Sequence, residues 1–390
     1  MLQTYKRLYA IDAFRAINMF FMIFVNDLSG VRNVPEWIDH VKGNTDGMHF
    51  ADTIFPLFLF IAGLSIPLGI GRRINKGESF KAIAAYILLR SFALIVMGFF
   101  HVNMEEYSSA AFLPYAVWEL LLTISFFLIW MDYPETLPKA KKYFFIGTGI
   151  VTLFVLSLLY EGGTPRTPEG FHPSWWGILG IIGWAYLLCS GIYLIAKGKF
   201  SILIIALIFF VLMNLGVHAK MIHFNIWVVN DGSSASLMMF GVVISLSYSK
   251  IIAGGSYKRL WPIFTAAGIA LIALGFLVRP YTQGISKIHS TPSWVFLCTG
   301  IGILFFELII WLVDVLGKKD WFSIIKPAGT STLTCYLVPY LMVSLFSIVH
   351  FRYPHVFNYG TGGLIRCFAI SFIVILITGF LEKRRLRLKI

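Results

Sequence analysis

Asp12, Arg15, Asn18, Asn26 and Asp27 interrupt the first apolar stretch of this chain, AIDAFRAINMFFMIFVNDL, where a passive membrane anchor would tolerate none of them. At about 100° per residue, Asp12, Arg15, Met22 and Asn26 share one narrow sector of a helix, with Asn18 beside it. Asp12 and Arg15 are three apart and can pair on that face. Ionisable groups inside a membrane segment are costly and by default mark a functional site. The bland alternative is a buried ion pair that ties two helices together. Downstream, His40 lies in the polar loop EWIDHVKGNTDG, between Asn26–Asp27 and Asp52. Histidine ordinarily titrates near neutrality, and one with carboxamide or carboxylate neighbours suits general-base work or transient acyl carriage. A solvated loop histidine is the competing reading, and His49, beside Asp52, is a second candidate for the same role. No HxH or HExxH spacing occurs, so no metal site is expected.

These residues need a scaffold, and composition says which kind. The 390 residues are 58% hydrophobic and 13% charged, with mean hydropathy +0.78. Soluble domains carry about 25% charged residues, so the chain reads as an all-α, polytopic membrane bundle forming one membrane domain over 1–390. Twelve spans are expected: 11–29, 51–71, 84–102, 110–131, 143–160, 175–196, 200–217, 232–249, 261–279, 292–314, 328–349 and 362–381. With the N-terminus cytoplasmic, 22 of the 32 Lys and Arg fall on the cytoplasmic side and seven in outer loops. That bias places both termini in the cytoplasm and explains the net charge of +13 without a nucleic-acid partner. The four cysteines, Cys189, Cys298, Cys335 and Cys367, lie in apolar spans and read as small core residues. No cleavable signal peptide is evident.

Arg72, Arg73, Arg90, Lys258 and Arg259 border cytoplasmic span ends. Positive-inside bias accounts for such residues in general; a clamp for a phosphate-bearing donor is the sharper reading. Glu119, Glu307, Asp314 and Arg366 are further in-span charges expected to face the bundle interior. The outer loops carry Trp37, Trp175, Trp176, Trp227, Tyr281, Asn230 and Asp231. These types serve as interfacial anchors, and equally as a carbohydrate-binding surface.

The run AIDAFRAINMFFMIFVN, the loop histidine and ADTIFPLFLFIAGLSIPL together resemble the opening of the heparan-α-glucosaminide N-acetyltransferase family. The matching positions include Asp12, Phe14, Arg15, Val25, Asn26, His40, Ala51, Asp52, Phe55, Pro56, Phe58, Phe60 and Gly63, so 8–73 is the signature region. Weaker echoes are Arg90–Ser91–Phe92, Pro114 and PAGTSTLTCYLV. The resemblance implies acetyl transfer from cytoplasmic acetyl-CoA to an amino sugar or related glycan across the membrane. By the same token it implies His40 as base or acyl carrier with Asn26, Asp27 and Asp52 in the catalytic group. Asp12, Arg15 and Asp52 form the buried frame; Arg15 joins Arg72, Arg73, Arg90, Lys258 and Arg259 on the donor, and His49, Asn230 and Asp231 face the acceptor. Residues 175–217 are an added helix pair relative to the lysosomal member. Dimerisation is common in that family, giving a homodimer as a candidate assembly, although no GxxxG-type face stands out here. A bacterial inner membrane is the expected location, consistent with the lack of any N-x-S/T sequon. Twelve spans and intramembrane carboxylates would also suit a secondary transporter, which should show an internal repeat; none is found.

Overall fold

A computed structural model describes residues 8–43, 45–164, 166–223, 228–255 and 257–390. Trp227, among the loop aromatics above, lies outside them. The helices, in order, are α1 (Tyr9–Leu28), α2 (Ala51–Asn75), α3 (Phe80–Met104), α4 (Tyr115–Trp130), α5 (Lys139–Leu158), α6 (Gly177–Ile195), α7 (Phe200–His218), α8 (Ser233–Ala253), α9 (Tyr257–Val278), α10 (Pro292–Ile310), α11 (Lys326–Thr330), α12 (Thr332–Ile348) and α13 (Gly360–Lys383). One small antiparallel hairpin, β1 (Gly162–Thr164) with β2 (Thr167–Glu169), completes the inventory of the described residues. Among the described residues ten helices are long and apolar enough to span a bilayer, and the chain is a polytopic helical membrane protein. Each of the twelve expected spans has its helix.

Most boundaries shift by a few residues, and two spans differ more. The span anticipated at 110–131 begins only at Tyr115, because Pro114 sits at φ −59°, ψ 139° and caps α4 from an extended conformation. The one at 328–349 is split, since Ser331 leaves the helical region at φ −125°, ψ 47° and separates α11 from α12. α4 and α12 are therefore 16 and 17 residues long.

The chain forms two compact units. The first comprises 8–18, 35–91 and 182–323, hence the start of α1, all of α2, the first half of α3, most of α6, and α7–α10. Its core packs Phe14, Phe60, Leu64, Tyr248, Phe264, Ile303 and Phe306. Close helix contact is built on small residues: a Cβ on Gly63 would sit 1.9 Å from the Met238 carbonyl oxygen, and one on Gly241 2.1 Å from that of Phe60. Membrane helices gain little from hydrophobic exclusion of lipid, so such backbone approach is what lets α2 and α8 adhere. Arg15 pairs with Asp12 at 3.4 Å as expected, and its Nη2 donates to Ser65 Oγ at 2.5 Å. Glu307, buried, accepts from Thr265 Oγ1.

The second unit holds 19–34, 92–181 and 324–390. Trp118 anchors an aromatic cluster with Phe100, Tyr107, Tyr160 and Phe171, its indole N–H donating to the Leu156 carbonyl. Arg366, buried on α13, donates to both the carboxylate and the carbonyl of Asp27 and to Asn358. Buried Glu119 accepts from Ser344 Oγ at 2.6 Å. The basic tail folds back, with Arg387 and Lys389 gripping Asp132. All four cysteines are free and buried, as the sequence implied.

Replacing Gly63 by leucine puts a side chain where the α8 backbone already stands. The variant is expected to lose about 1–3 kcal/mol or more, read as a lower unfolding midpoint of the detergent-solubilised protein. Gly69→Leu on the same helix, where a Cβ meets nothing within 4 Å, should leave the midpoint unchanged.

Candidate active site

α2 opens on a buried carboxylate. Asp52, 1% exposed, accepts from the ring Nδ1 of His40 at 2.7 Å, from the backbone N–H of Val41 at 3.1 Å and from that of His49 at 3.0 Å. The loop before the helix is folded to make this possible. Phe50 N–H donates to the Trp37 carbonyl and Ala51 N–H to that of Ile38, so backbone carbonyls satisfy donors that a side-chain cap would otherwise take. That return of the chain carries His40 to Asp52. Pro56, four residues on, has no N–H to give the Asp52 carbonyl. The Trp294 indole N–H from α10 supplies it instead at 3.1 Å. Asn18 of α1 likewise donates to the Ile54 carbonyl at 3.1 Å.

An ionised carboxylate only accepts, so the His40 proton facing Asp52 resides on Nδ1 and the Nε2 lone pair is left for chemistry. His40 is 41% exposed, against 2% for the Asp52 side chain: a reactive edge on a buried anchor. His49 plays a different part. Its backbone N–H, not its ring, reaches Asp52. The ring of one histidine and the backbone of the other thus meet Asp52.

A third group joins them from 247 positions away. The half-buried Lys287 Nζ stands 3.2 Å from Nδ1 and 3.5 Å from Nε2 of His40. Its loop, between α9 and α10, docks on the loop of His40. Asp46 accepts from the Ile285 backbone N–H at 2.6 Å and from Arg279 Nε at 2.9 Å, while Gly47 N–H donates to the Ile285 carbonyl. The Ile285 N–H chiefly holds the Asp46 carboxyl below the usual carboxylate range, and Arg279 adds to that. On the far flank, Asn214 Nδ2 donates to the Ser290 carbonyl and to Asp231. Asp231 also accepts from Ser233 and faces His218 Nε2 at 3.3 Å. Burial lowers the Lys287 ammonium from the ordinary lysine range, with the Asp52 charge opposing the shift.

Asn26, exposed, and Asp27 end α1 in the second unit, where the Asp27 carboxylate is committed to Arg366. Asp231 is an anchor of the Lys287 loop, and Asn230, beside it, stands at φ +53°. Arg72, Lys258 and Arg259 are exposed. Arg73 lies 3.9 Å over the Tyr86 ring and pairs with Glu78; Arg90 donates to Tyr86 and lies 5.1 Å from the Tyr186 ring. Arg15 belongs to the α1–α2 contact with Asp12 and Ser65. Lys287 was missed: it has no local motif, and only the loop docking brings it to His40. Glu106, Glu169 and His172 of the second unit bring potential metal-ligand atoms within 4.8 Å of one another, a grouping split across 67 positions and so invisible to a search for short spacings.

Residues 7–107 match the family model described as heparan-alpha-glucosaminide N-acetyltransferase, catalytic. The human protein named heparan-alpha-glucosaminide N-acetyltransferase is 38% identical over 98 residues, and the mouse protein of that name 37% identical over 99. Each match covers 25% of this chain and 14% of the relative's length. The matched stretch contains His40 and Asp52 and stops well short of Lys287.

Gly284, at φ +79°, packs so that a Cβ would lie 2.6 Å from the Asp46 carboxyl carbon. Gly284→Ala is therefore expected to loosen the loop, seen as faster amide exchange over 280–290 and faster tryptic cleavage at Lys287. Gly317→Ala, also at positive φ but with open space around it, should leave that region unchanged.

Proposed function

We propose that this protein, whose residues 7–107 match the heparan-alpha-glucosaminide N-acetyltransferase catalytic model, is a transmembrane acetyltransferase with acetyl-CoA as donor and an amino sugar or related glycan as acceptor. The observation that carries the reading is the His40–Asp52 pair, a half-exposed imidazole whose Nδ1 is held by a buried carboxylate. His40 Nε2 takes a proton from the acceptor amine as that nitrogen attacks the thioester carbonyl. The C–N bond forms, the C–S bond breaks, and the imidazolium returns the proton to the departing CoA thiolate. Asp52 keeps the ring oriented throughout and balances its transient positive charge.

Donor and acceptor come from opposite faces on this reading. Asp52 and Arg73 stand near opposite ends of α2, about 30 Å apart at 1.5 Å per residue. The Lys/Arg bias favours the Arg72–Arg73 end in the cytoplasm and the His40 end on the outer face, which on this reading is the periplasmic side of a bacterial inner membrane. Arg90 lies about 15 Å along α3 from Phe80, held by Tyr86 and Tyr186. A guanidinium at that depth suits a phosphate-bearing donor that must reach inward.

The test is acceptor-dependent CoA release from acetyl-CoA and glucosamine by protein in nanodiscs. His40→Ala and Asp52→Asn are each expected to lower kcat by about 10²-fold or more, and His49→Ala to leave it within a few-fold. An inactive wild type that instead accumulates labelled sugar in proteoliposomes would replace this reading with transport. Arg90→Leu is expected to raise the KM for acetyl-CoA about tenfold with kcat little changed, the pattern of lost uniform binding.

A further inference from the structure

The geometry points to Lys287 as a third catalytic group, one that donates to the oxyanion formed when the acyl carbonyl is attacked beside His40. This assignment rests on the acetyltransferase reading and adds to it a residue far outside the matched segment.

Three observations support it. First, the ammonium is already at the reacting edge, 3.2 and 3.5 Å from the two ring nitrogens of His40. An ammonium so placed can reach an oxygen that forms beside Nε2. Second, the lysine is built in. Its loop is clamped by Asp46 on one flank, through Arg279 and the Ile285 N–H, and by Asn214 on the Ser290 carbonyl at the other. A surface lysine kept only for topology needs no such clamps, and Lys287 sits on the face where positive charge is scarce. Third, the charges stay balanced as the transition state forms. Before reaction, the site holds one carboxylate, Asp52, against one ammonium. As the transition state is approached, the imidazole becomes a cation and the carbonyl oxygen an anion, so two cations face two anions.

In the transfer, Lys287 keeps its proton. It donates to the carbonyl oxygen as the tetrahedral intermediate forms and releases it as the C–S bond breaks. Preorganised donors of this kind contribute chiefly to kcat, at about 10²–10³-fold each.

The groups facing Lys287 are His40 and Asp52, with the buried Cys298 thiol behind them. Since burial lowers the ammonium's titration below the ordinary lysine range, the active, protonated form is lost as pH rises through that lowered value. Activity should therefore fall on the alkaline side earlier than a solvated lysine would allow. Arginine stays charged throughout.

The experiment compares wild type, Lys287→Met, Lys287→Arg and His40→Ala in nanodiscs, with acetyl-CoA and glucosamine, from pH 6 to 10. The expected result is a fall in kcat of about 10²–10³-fold in Lys287→Met, with the KM for acetyl-CoA within threefold of wild type. Lys287→Arg should recover much of kcat and move the alkaline limb to higher pH. A Lys287→Met protein with wild-type kcat, beside an inactive His40→Ala, would overturn the role of Lys287 while leaving the acetyltransferase reading intact. If Lys287→Met does not fold, Lys287→Arg decides alone: an alkaline limb that stays where the wild type has it overturns the proposal. Should wild type itself release no CoA, the reading fails and this role falls with it.

Discussion

One buried carboxylate organises the end of the first unit where the chemistry would occur. Asp52 is almost wholly removed from solvent and accepts from the His40 ring and from two backbone N–H groups. Its place in the first turn of α2 adds the favourable end of the helix dipole. A buried carboxylate is costly unless it is hydrogen-bonded, so the loop cannot relax away from it without stranding a charge. The same need that stabilises Asp52 fixes the orientation of His40. The stability of the loop and the orientation of the imidazole share one set of bonds here.

The residue also anchors a second helix, through an omission. Proline at position 56 removes the N–H that would have bonded the Asp52 carbonyl, and Trp294 of α10 fills the vacancy. α10 follows directly from the loop bearing Lys287, so the indole contact registers that loop against the entrance of α2. The Asp46 clamp does the same work from the other side. Two polar loops far apart in sequence are thereby held together at the end of an apolar bundle. The bundle adheres in turn by backbone contact at Gly63 and Gly241.

The in-span charges fall into groups by their partners. Arg366 with Asp27, Glu119 with Ser344 and Glu307 with Thr265 are satisfied pairs in helix interiors, as membrane burial demands. Arg73 and Arg90 differ, being held against tyrosine rings within reach of one span end. The Asp12–Arg15 pair, the first oddity of the sequence, joins α1 to Ser65 of α2 and belongs with the frame.

Much of this was legible in the residues themselves. Apolar runs marked where the spanning helices lie, because a backbone in lipid must satisfy its own hydrogen bonds and has few other forms. The ADTIFP run marked the start of α2, and the nearness of His40 to Asp52 followed from a twelve-residue separation across one loop. What sequence left open was decided by contacts between distant segments. His40 and His49 were equivalent candidates until the loop fold gave Asp52 the ring of one and the backbone of the other. Asn26 and Asp27 carried as strong a signal as His40, yet Asp27 is taken by Arg366. The close approach at Gly63 and Gly241 had no GxxxG spacing to announce it, since each glycine meets backbone of another helix. Lys287 read as one stray cation among outer-loop residues. Hydropathy and helical period report what a segment does with its own neighbours; which loop docks on which is set by hydrogen bonds across more than two hundred residues, and only the tertiary structure contains them.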